Sequence, residues 1–330
     1  MKLMKTINKI PAGLMIVPLF IGILINTFCP QILQIGSFTT ATFTKVGAAS
    51  FMGVQLVAIG TMLKMKETPE VIKRGGVLLL AKFMAGGALG YLANFLFGPS
   101  GFFGLTALAL IAGITSANGS MYTALMTTYG DKIDCSTVSV LTFKDGPFLT
   151  LLALGASGLI NLPVEALLAT IIPLLLGMLL GNLDDEFTKF FSPAVAIMIP
   201  FVGLTLGGSI NLLDIARGGM PGILLGLLTV FVAGPFVVFC DRKISKRSGY
   251  AGVAISTVAG NAIATPAIVG LIDPSWKPYV AVATTQIAAA VVFTAIVVPL
   301  LTSFWVKKFG SPQCPLENKN NHNTNLIVEE

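Results

Sequence analysis

Asparagine, serine and threonine cluster in two short runs of an otherwise apolar chain, GITSANGSMYTA (113–124) and STVAGNAIATP (256–266). Their amide and hydroxyl groups suit hydrogen bonds to a polar solute. The interspersed glycine and proline residues weaken helical hydrogen bonding, and backbone groups freed inside a membrane must find other partners. The two runs therefore predict interrupted helices whose polar atoms are shared between the protein and a bound solute.

The predicted substrate-binding residues are polar side chains within apolar segments: Asn118, Asn261, Thr115, Ser116, Ser120, Thr257, Gln286 and Lys82. For Ser116, Ser120 or Thr257 taken singly, close packing of helices is the simpler explanation. For Asn118 and Asn261 we favour function, because they recur at one offset in the two halves of the chain. Lys82 has an alternative, since it lies near a span end and its long side chain could extend to the membrane surface.

Lys144 and Asp145 lie inside the apolar segment VLTFKDGPFLTLL (140–152), and ionisable groups within a membrane mark functional sites by default. A carboxyl group in a low-dielectric cavity takes up protons more readily, whereas a nearby lysine has the opposite effect. We therefore predict that these two residues couple transport to protons. Neighbouring helical positions point about 100° apart, so either one could face the cavity. A permanent ion pair that only fixes packing is the alternative.

Composition excludes most enzymatic and nucleic-acid functions. The chain has 330 residues, of which 54% are hydrophobic and only 11% are charged; soluble domains carry about 25% charged residues. Its four cysteines are isolated, and its one histidine, His322, lies in a polar tail. The serine motif GASG (155–158) therefore has no histidine partner within the membrane to act as a base. We predict no enzymatic activity, no cofactor and no metal site.

Apolar stretches of about 20 residues, the length that spans a bilayer as a helix, occur ten times. The predicted spans are Ile10–Phe28, Ala41–Leu63, Gly75–Phe97, Gly104–Tyr129, Ser136–Leu159, Pro163–Gly181, Phe191–Asn211, Gly219–Cys240, Tyr250–Ile272 and Tyr279–Val306. If the N-terminus is cytoplasmic, the inside segments hold sixteen Lys and Arg residues and the outside segments hold three. This asymmetry predicts a multi-pass protein of the bacterial inner membrane with both termini cytoplasmic.

The two halves of the chain repeat one another. PLFIGILIN (18–26) resembles PLLLGMLLGN (173–182), and IKRGG (72–76) matches IARGG (215–219) at an offset of 143 residues that also relates Asn118 to Asn261. Because each half holds five spans, an odd number, the second must be inverted relative to the first. The expected fold is all-α, with inverted repeats at 1–159 and 160–306, discontinuous helices four and nine crossing near mid-membrane, and a polar tail at 307–330. Inverted repeats of this kind are typical of secondary transporters.

The chain closely resembles the bacterial 2-keto-3-deoxygluconate permeases over nearly its whole length. The resemblance is carried by INKIPAGLMIVPLFIGILINTF (7–28), GITSANGSMYTALMTTYGD (113–131), SVLTFKDGPFLTLLALG (139–155) and AGVAISTVAGNAIATPAIV (251–269). That family belongs with bile-acid, arsenite and riboflavin transporter relatives. The resemblance implies a panel domain of spans one, two, six and seven, and a core domain of spans three to five and eight to ten.

The activity that the resemblance implies is proton-driven uptake of 2-keto-3-deoxygluconate, a small anionic sugar acid. Helix N-termini and a lysine would suit its carboxylate, and the asparagine and hydroxyl side chains would suit its hydroxyl groups. Sodium is the alternative coupling ion, because relatives with this architecture use it. A membrane sensor or scaffold is the alternative outside transport, but the short loops offer little to dock. The expected partners are the sugar acid, the coupling ion and the lipid bilayer.

Overall fold

The chain forms a bundle of α-helices in the computed structural model, which describes residues 3–7, 13–63, 69–141, 147–160, 164–208 and 212–315. Its helices in chain order are α1 (Leu3–Ile7), α2 (Gly13–Phe28), α3 (Ser37–Phe43), α4 (Lys45–Thr61), α5 (Pro69–Phe97), α6 (Ala107–Thr115), α7 (Gly119–Tyr129), α8 (Lys132–Leu141), α9 (Phe148–Ala156), α10 (Val164–Leu183), α11 (Asp185–Gly207), α12 (Leu212–Leu228), α13 (Gly234–Lys243), α14 (Tyr250–Ala254), α15 (Thr265–Ile272) and α16 (Lys277–Phe309). A π-helix, Thr229–Ala233, joins α12 to α13, and short 3₁₀ helices occur at Pro30–Gln34, Asn261–Ala264 and Pro274–Trp276. The prediction of an all-helical membrane protein is confirmed.

Four helical segments of the described chain are long and apolar enough to cross a membrane: Pro69–Phe97, Asp185–Gly207, Gly218–Lys243 and Pro274–Phe309. Four shorter apolar helices accompany them, at Val17–Phe28, Ser50–Thr61, Ile171–Leu183 and Asn261–Ile272. The count of ten spans and the inverted repeat stay predictions, because several predicted spans are divided into shorter helices.

Several span boundaries differ from the prediction for identifiable reasons. The sequence predicts an unbroken second span from Ala41, but the helix is interrupted at Thr44, which has an extended backbone. The third span begins at Pro69 rather than Gly75, because the helix continues through the charged residues that precede its apolar part. The seventh begins at Asp185, where the side chain of Asp184 accepts a hydrogen bond from the Glu186 N–H and caps the helix. Acidic residues are favourable in such a first turn.

Two sets of helices pack closely through glycine. In the first set α2 packs on α11, and α4 packs on both α10 and α11. A Cβ atom at Gly22 of α2 would lie 2.5 Å from the carbonyl oxygen of Leu204 in α11, and one at Gly177 of α10 would lie 2.0 Å from that of Val57 in α4. Both glycines therefore allow backbone-to-backbone contact, which drives helix association in a bilayer that offers no hydrophobic effect between helices.

The second set surrounds α6, whose nine residues are all buried. Helix α5 packs along it and also contacts α8, while α16 packs on α12, α14 and α15. A helix that is apolar on every side must be enclosed by other helices. The enclosed α6 leads directly into the first polar run of the sequence.

We expect Gly177→Val to destabilise the protein by about 1–3 kcal/mol, the usual cost of overpacking. The nearest atoms to the new side chain belong to the backbone of α4, which cannot move aside as a flexible side chain can. The melting temperature in detergent measures this. Gly53→Val is the matched control, since a Cβ at Gly53 in α4 meets no atom within 4 Å. Equal melting temperatures for the two variants would contradict the close contact.

Candidate functional site

The first polar run contains the break between α6 and α7. Residues 116–118 are not helical, and Ser116 and Asn118 both have extended backbone angles. The Asn118 side-chain oxygen accepts a hydrogen bond of 3.0 Å from the Met121 N–H, so this residue is the N-cap of α7. Asparagine is among the preferred N-cap residues, and the local sequence therefore explains where the second half-helix begins.

The second polar run contains a longer break. Helix α14 ends at Ala254, and regular structure resumes with the 3₁₀ helix Asn261–Ala264 and with α15, which carries proline in its first turn. The Val258 N–H, freed by the break, donates to the hydroxyl oxygen of Thr294 in α16 at 3.1 Å. The Ser256 hydroxyl donates to the Gly252 carbonyl oxygen at 2.7 Å. Side chains thus satisfy part of the backbone that the helix leaves open.

The two breaks are hydrogen-bonded to each other. The Asn118 N–H donates to the Thr257 hydroxyl oxygen at 2.8 Å, and the Ala259 N–H donates to the Ser116 hydroxyl oxygen at 3.1 Å. Each break therefore supplies one backbone donor and one hydroxyl acceptor to the other. Thr257 and Ser116 are buried, and their hydroxyl groups hold the two breaks together, which is a structural role.

Lys82 of α5 lies at the same crossing. Its ammonium group donates to the Thr257 carbonyl oxygen at 2.9 Å, and the residue is only 1% exposed. The side chain therefore does not extend to the membrane surface. Its positive charge lies beside a carbonyl group freed at the end of α14, where a cation is favourable.

The other predicted residues differ in accessibility. Thr115 is buried, with its hydroxyl 3.1 Å from that of Thr150 and 2.7 Å from the Ile111 carbonyl oxygen. Asn118 and Asn261, which flank the crossing, are only partly buried. Ser120 occupies the second position of α7, and its side chain lies outside the described residues. The two asparagines are thus the accessible amides of the crossing.

Gln286 lies away from the crossing. It is fully buried, and its side-chain oxygen accepts hydrogen bonds from both the N–H and the hydroxyl of Thr106, while its amide nitrogen donates to the Gly104 carbonyl oxygen at 2.6 Å. Thr106 is the N-cap of α6, about 15 Å along that helix from its break at 1.5 Å per residue. The structure therefore does not bring Gln286 to the other predicted residues. Lys144 and Asp145 lie outside the described residues.

The sequence reasoning missed a buried cluster of charges. Arg74 of α5 donates to Asp134 of α8 at 2.8 Å and also to Asp241 of α13; the three residues are at most 3% exposed. The Tyr250 hydroxyl donates to Asp134, and the Gly252 N–H donates to Asp241 at 3.1 Å. The cluster therefore joins α14, which leads into the second break, to three other helices.

A second ion pair borders this cluster at the helix ends. The Arg247 guanidinium donates to Asp131 at 2.6 Å, and Asp131 and Asp134 each accept a hydrogen bond from the other's N–H. Burial alone would raise the pKa of Asp131, but the Asp134 N–H and the Arg247 guanidinium together lower it below its ordinary value. Asp131 is therefore ionised at neutral pH and keeps this pair intact.

Only a weak signal for the cluster is present in the sequence. Arg74 directly precedes the predicted third span, and Asp134 and Asp241 lie just outside the ends of predicted spans. Since α5 begins before Arg74 and α8 begins before Asp134, all these charges fall within helices. A charge at a helix end that is buried needs a partner, and only the tertiary structure identifies it.

Comparisons with known proteins cover nearly the whole chain. The sequence model of a family described as 2-keto-3-deoxygluconate permease matches residues 4–311. The chain is 44% identical over 317 residues to 2-keto-3-deoxygluconate permease 1 of Salmonella typhimurium, covering 96% of this chain and 99% of that protein. It is 35% identical over 323 residues to the 2-keto-3-deoxygluconate permease of Escherichia coli O7:K1, covering 96% and 98%. Permease relatives over this length indicate a transporter rather than an enzyme.

A solved structure with a similar fold is the sodium proton antiporter MjNhaP1 from Methanocaldococcus jannaschii. The TM-score is 0.58 and the sequence identity 15%, with 88% of this chain and 90% of the antiporter covered. At that identity the likeness concerns the fold alone, since one fold can carry different functions.

We expect Asp134→Asn to lower stability by about 3–5 kcal/mol, the usual cost of removing one partner from a buried ion pair, because the buried Arg74 guanidinium loses one of its two carboxylates. The melting temperature in detergent measures the effect. Lys189→Gln is the control, since its ion pair with Glu186 is 72% exposed on both sides, and such pairs contribute about 0–1 kcal/mol. An Asp134→Asn variant as stable as this control would contradict a structural role for the cluster.

Proposed function

Since the chain belongs to the 2-keto-3-deoxygluconate permease family, we propose that it is a secondary active transporter that imports 2-keto-3-deoxygluconate. The family match over residues 4–311 carries this proposal, and the named relatives at 35–44% identity support it. The hydrogen-bonded crossing of two interrupted helices is the feature of the fold to which we assign substrate binding, because discontinuous helices at the centre of transporters offer backbone groups to substrates and ions.

The proposed binding site matches the chemistry of a sugar acid. The first N–H groups of a helix have no intrahelical acceptor, and at α7 Asn118 caps only that of Met121. The N–H groups of Gly119 and Ser120 are therefore available to the carboxylate of the substrate, and the Lys82 ammonium adds positive charge nearby. The amides of Asn118 and Asn261 then bind the hydroxyl and keto groups.

The remaining predicted residues have supporting roles in this proposal. The hydroxyls of Thr115, Ser116 and Thr257 already accept or donate hydrogen bonds within the protein, so they shape the site. Ser120, the second residue of α7, remains a proposed member of the site. Gln286 fixes the N-cap of α6 rather than the substrate. An anion held by donors that the fold keeps in position needs little rearrangement on binding.

The contacts within the fold support an inverted repeat. The hydrogen bond from Ala259 to Ser116 joins positions 143 residues apart, which is the offset of the sequence repeat, as expected for equivalent residues beside a two-fold axis. Gly22 of the first span contacts the seventh span, and Gly177 of the sixth contacts the second. We infer that α2, α4, α10 and α11 form the panel domain and that the other transmembrane helices form the core domain, which moves in alternating access.

Protons are the proposed coupling ion, with Asp145 as carrier and Lys144 beside it. The substrate is an anion, which a negative cell interior repels, so its accumulation requires a cation to move with it. One proton makes transport electroneutral, and more than one allows the membrane potential to assist. Sodium is the second candidate, because the carbonyl and amide oxygens at the crossing are the ligands that such an ion prefers. We also propose that both termini of the chain are cytoplasmic.

We expect Asn118→Ala and Asn261→Ala each to weaken 2-keto-3-deoxygluconate binding by about 2- to 12-fold, since a hydrogen bond between uncharged groups is worth about 0.5–1.5 kcal/mol. Calorimetry on purified protein measures the affinity. Because Asn118 also caps α7, Asn118→Ser serves as a variant that keeps a capping oxygen. Normal affinity in Asn118→Ser would reduce the role of Asn118 to capping, and normal affinity in Asn261→Ala would remove that residue from the site.

We expect a pH gradient, acidic outside, to drive 2-keto-3-deoxygluconate into membrane vesicles without sodium. Asp145→Asn should lose this accumulation, because an amide side chain neither takes up nor releases a proton near neutral pH. Exchange of labelled for unlabelled substrate should continue. Isotope uptake measures both. Uptake that follows a sodium gradient and ignores the pH gradient would favour sodium as the coupling ion. Full accumulation by Asp145→Asn would exclude Asp145 as the proton carrier. Absence of 2-keto-3-deoxygluconate uptake under every gradient would contradict the transport proposal itself.

A further inference from the structure

An apolar groove of about 600 Å³ opens on the outer surface of the bundle, away from the crossing's asparagines. One wall is formed by α13 and the π-helix before it, and the other by Leu301 and Trp305 of α16. Val253 and Ser256 form its floor. The wider π-helical turn displaces side chains relative to a regular helix, and such turns are frequent at functional sites.

The apolar wall of the groove has the length of one membrane leaflet. Phe231, Pro235 and Phe239 follow one another at intervals of four residues along this wall, which ends at Arg242. From Phe231 to Arg242 the rise is about 16 Å at 1.5 Å per residue, and half of the hydrocarbon core of a bilayer is about 15 Å. Phe231 and Phe239 are 54% and 57% exposed, so the groove is open to the acyl chains around it.

The groove ends at positive charges. Arg242 and Lys243 line this end, and both are exposed. The neighbouring carboxylate of Asp241 points inward to Arg74, and neither Arg242 nor Lys243 forms an ion pair within the part of the chain that the structure describes. The Arg242 guanidinium lies 5.2 Å from the centre of the Phe309 ring, and the Lys308 ammonium lies 5.5 Å from the same ring.

An aromatic residue marks the level of the membrane interface beside these charges. Trp305 lines the groove with its ring and donates through its indole N–H to the Ser248 carbonyl oxygen at 3.0 Å. Tryptophan is enriched where one end of the ring meets hydrocarbon and the other meets polar groups. The apolar wall therefore lies at acyl-chain depth, and Arg242 and Lys243 lie at headgroup depth.

We propose that this groove binds an anionic phospholipid, with an acyl chain along the wall from Phe231 to Phe239 and the phosphate on Arg242 and Lys243. The apolar lining selects a lipid over a soluble anion, and the uncompensated positive charges select an anionic over a zwitterionic headgroup, as in basic pockets between transmembrane helices. The floor residue Ser256 directly precedes Thr257 of the second break. The bound lipid therefore packs against the segment that forms the crossing.

Native mass spectrometry of the full-length protein in detergent tests this proposal with added phosphatidylglycerol and phosphatidylcholine. We expect one tightly held phosphatidylglycerol per chain and weaker phosphatidylcholine adducts. Arg242→Gln/Lys243→Gln should weaken phosphatidylglycerol binding by about 10- to 30-fold. The matched control is Lys73→Gln/Lys132→Gln, which removes two exposed positive charges elsewhere and should bind like the unchanged protein. Melting temperatures in the absence of added lipid should agree among all of these proteins.

A variant that fills the groove distinguishes lipid bound within the groove from lipid attracted only by the surface charges. Leu301→Trp leaves both cations in place and should also lose the tightly held phosphatidylglycerol, whereas millimolar inorganic phosphate should not displace it from the unchanged protein. Equal retention of the two lipids, or full retention by either groove variant, would overturn the proposal. Displacement by phosphate would identify a soluble-anion site instead, and a protein dimer without bound lipid would identify a second copy as the occupant. None of these readouts depends on transport.

Discussion

Backbone groups that leave a helix inside a membrane must find other partners, because the surrounding hydrocarbon offers none. Two helices of this protein are interrupted side by side, and each satisfies part of the other: Asn118 donates to Thr257, and Ala259 donates to Ser116. The breaks are therefore linked, because each supplies a hydroxyl acceptor to a backbone N–H group of the other. This exchange holds the two interrupted segments against each other and sets which polar groups lie at their crossing.

Charged residues near the crossing are held by specific partners. Lys82 is buried against a carbonyl oxygen of the second break, and Arg74 is buried between Asp134 and Asp241. Burying such charges costs several kcal/mol per ion unless hydrogen bonds compensate for it. Here the compensation comes from four helices that meet around Arg74, including α14, whose end forms the second break. The charged cluster thus fixes the approach of one half-helix to the site, which makes it a positioning element.

The same helices meet the bilayer on their outer side. Asp241 is directed inward to Arg74, whereas its neighbours Arg242 and Lys243 are directed to the groove on the surface. Consecutive positions on one helix end therefore serve the interior and the lipid separately. The likeness to a sodium proton antiporter concerns the fold alone, and one fold can carry different functions, so the fold by itself does not determine what the present chain transports.

The sequence by itself determined the all-helical fold class and the location of both helix breaks, because apolar length, glycine and proline act locally. Its longer motifs also identified the family. It also identified Asn118 as a residue of the first break, where it caps α7. Only the tertiary structure decided which polar groups meet. Gln286 is a polar residue within an apolar segment, as expected of a site residue, but it binds the N-cap of α6. Arg74 lies in a predicted loop but is buried. Such pairings join residues 60 to 180 positions apart, a separation at which local pattern carries no information about contact.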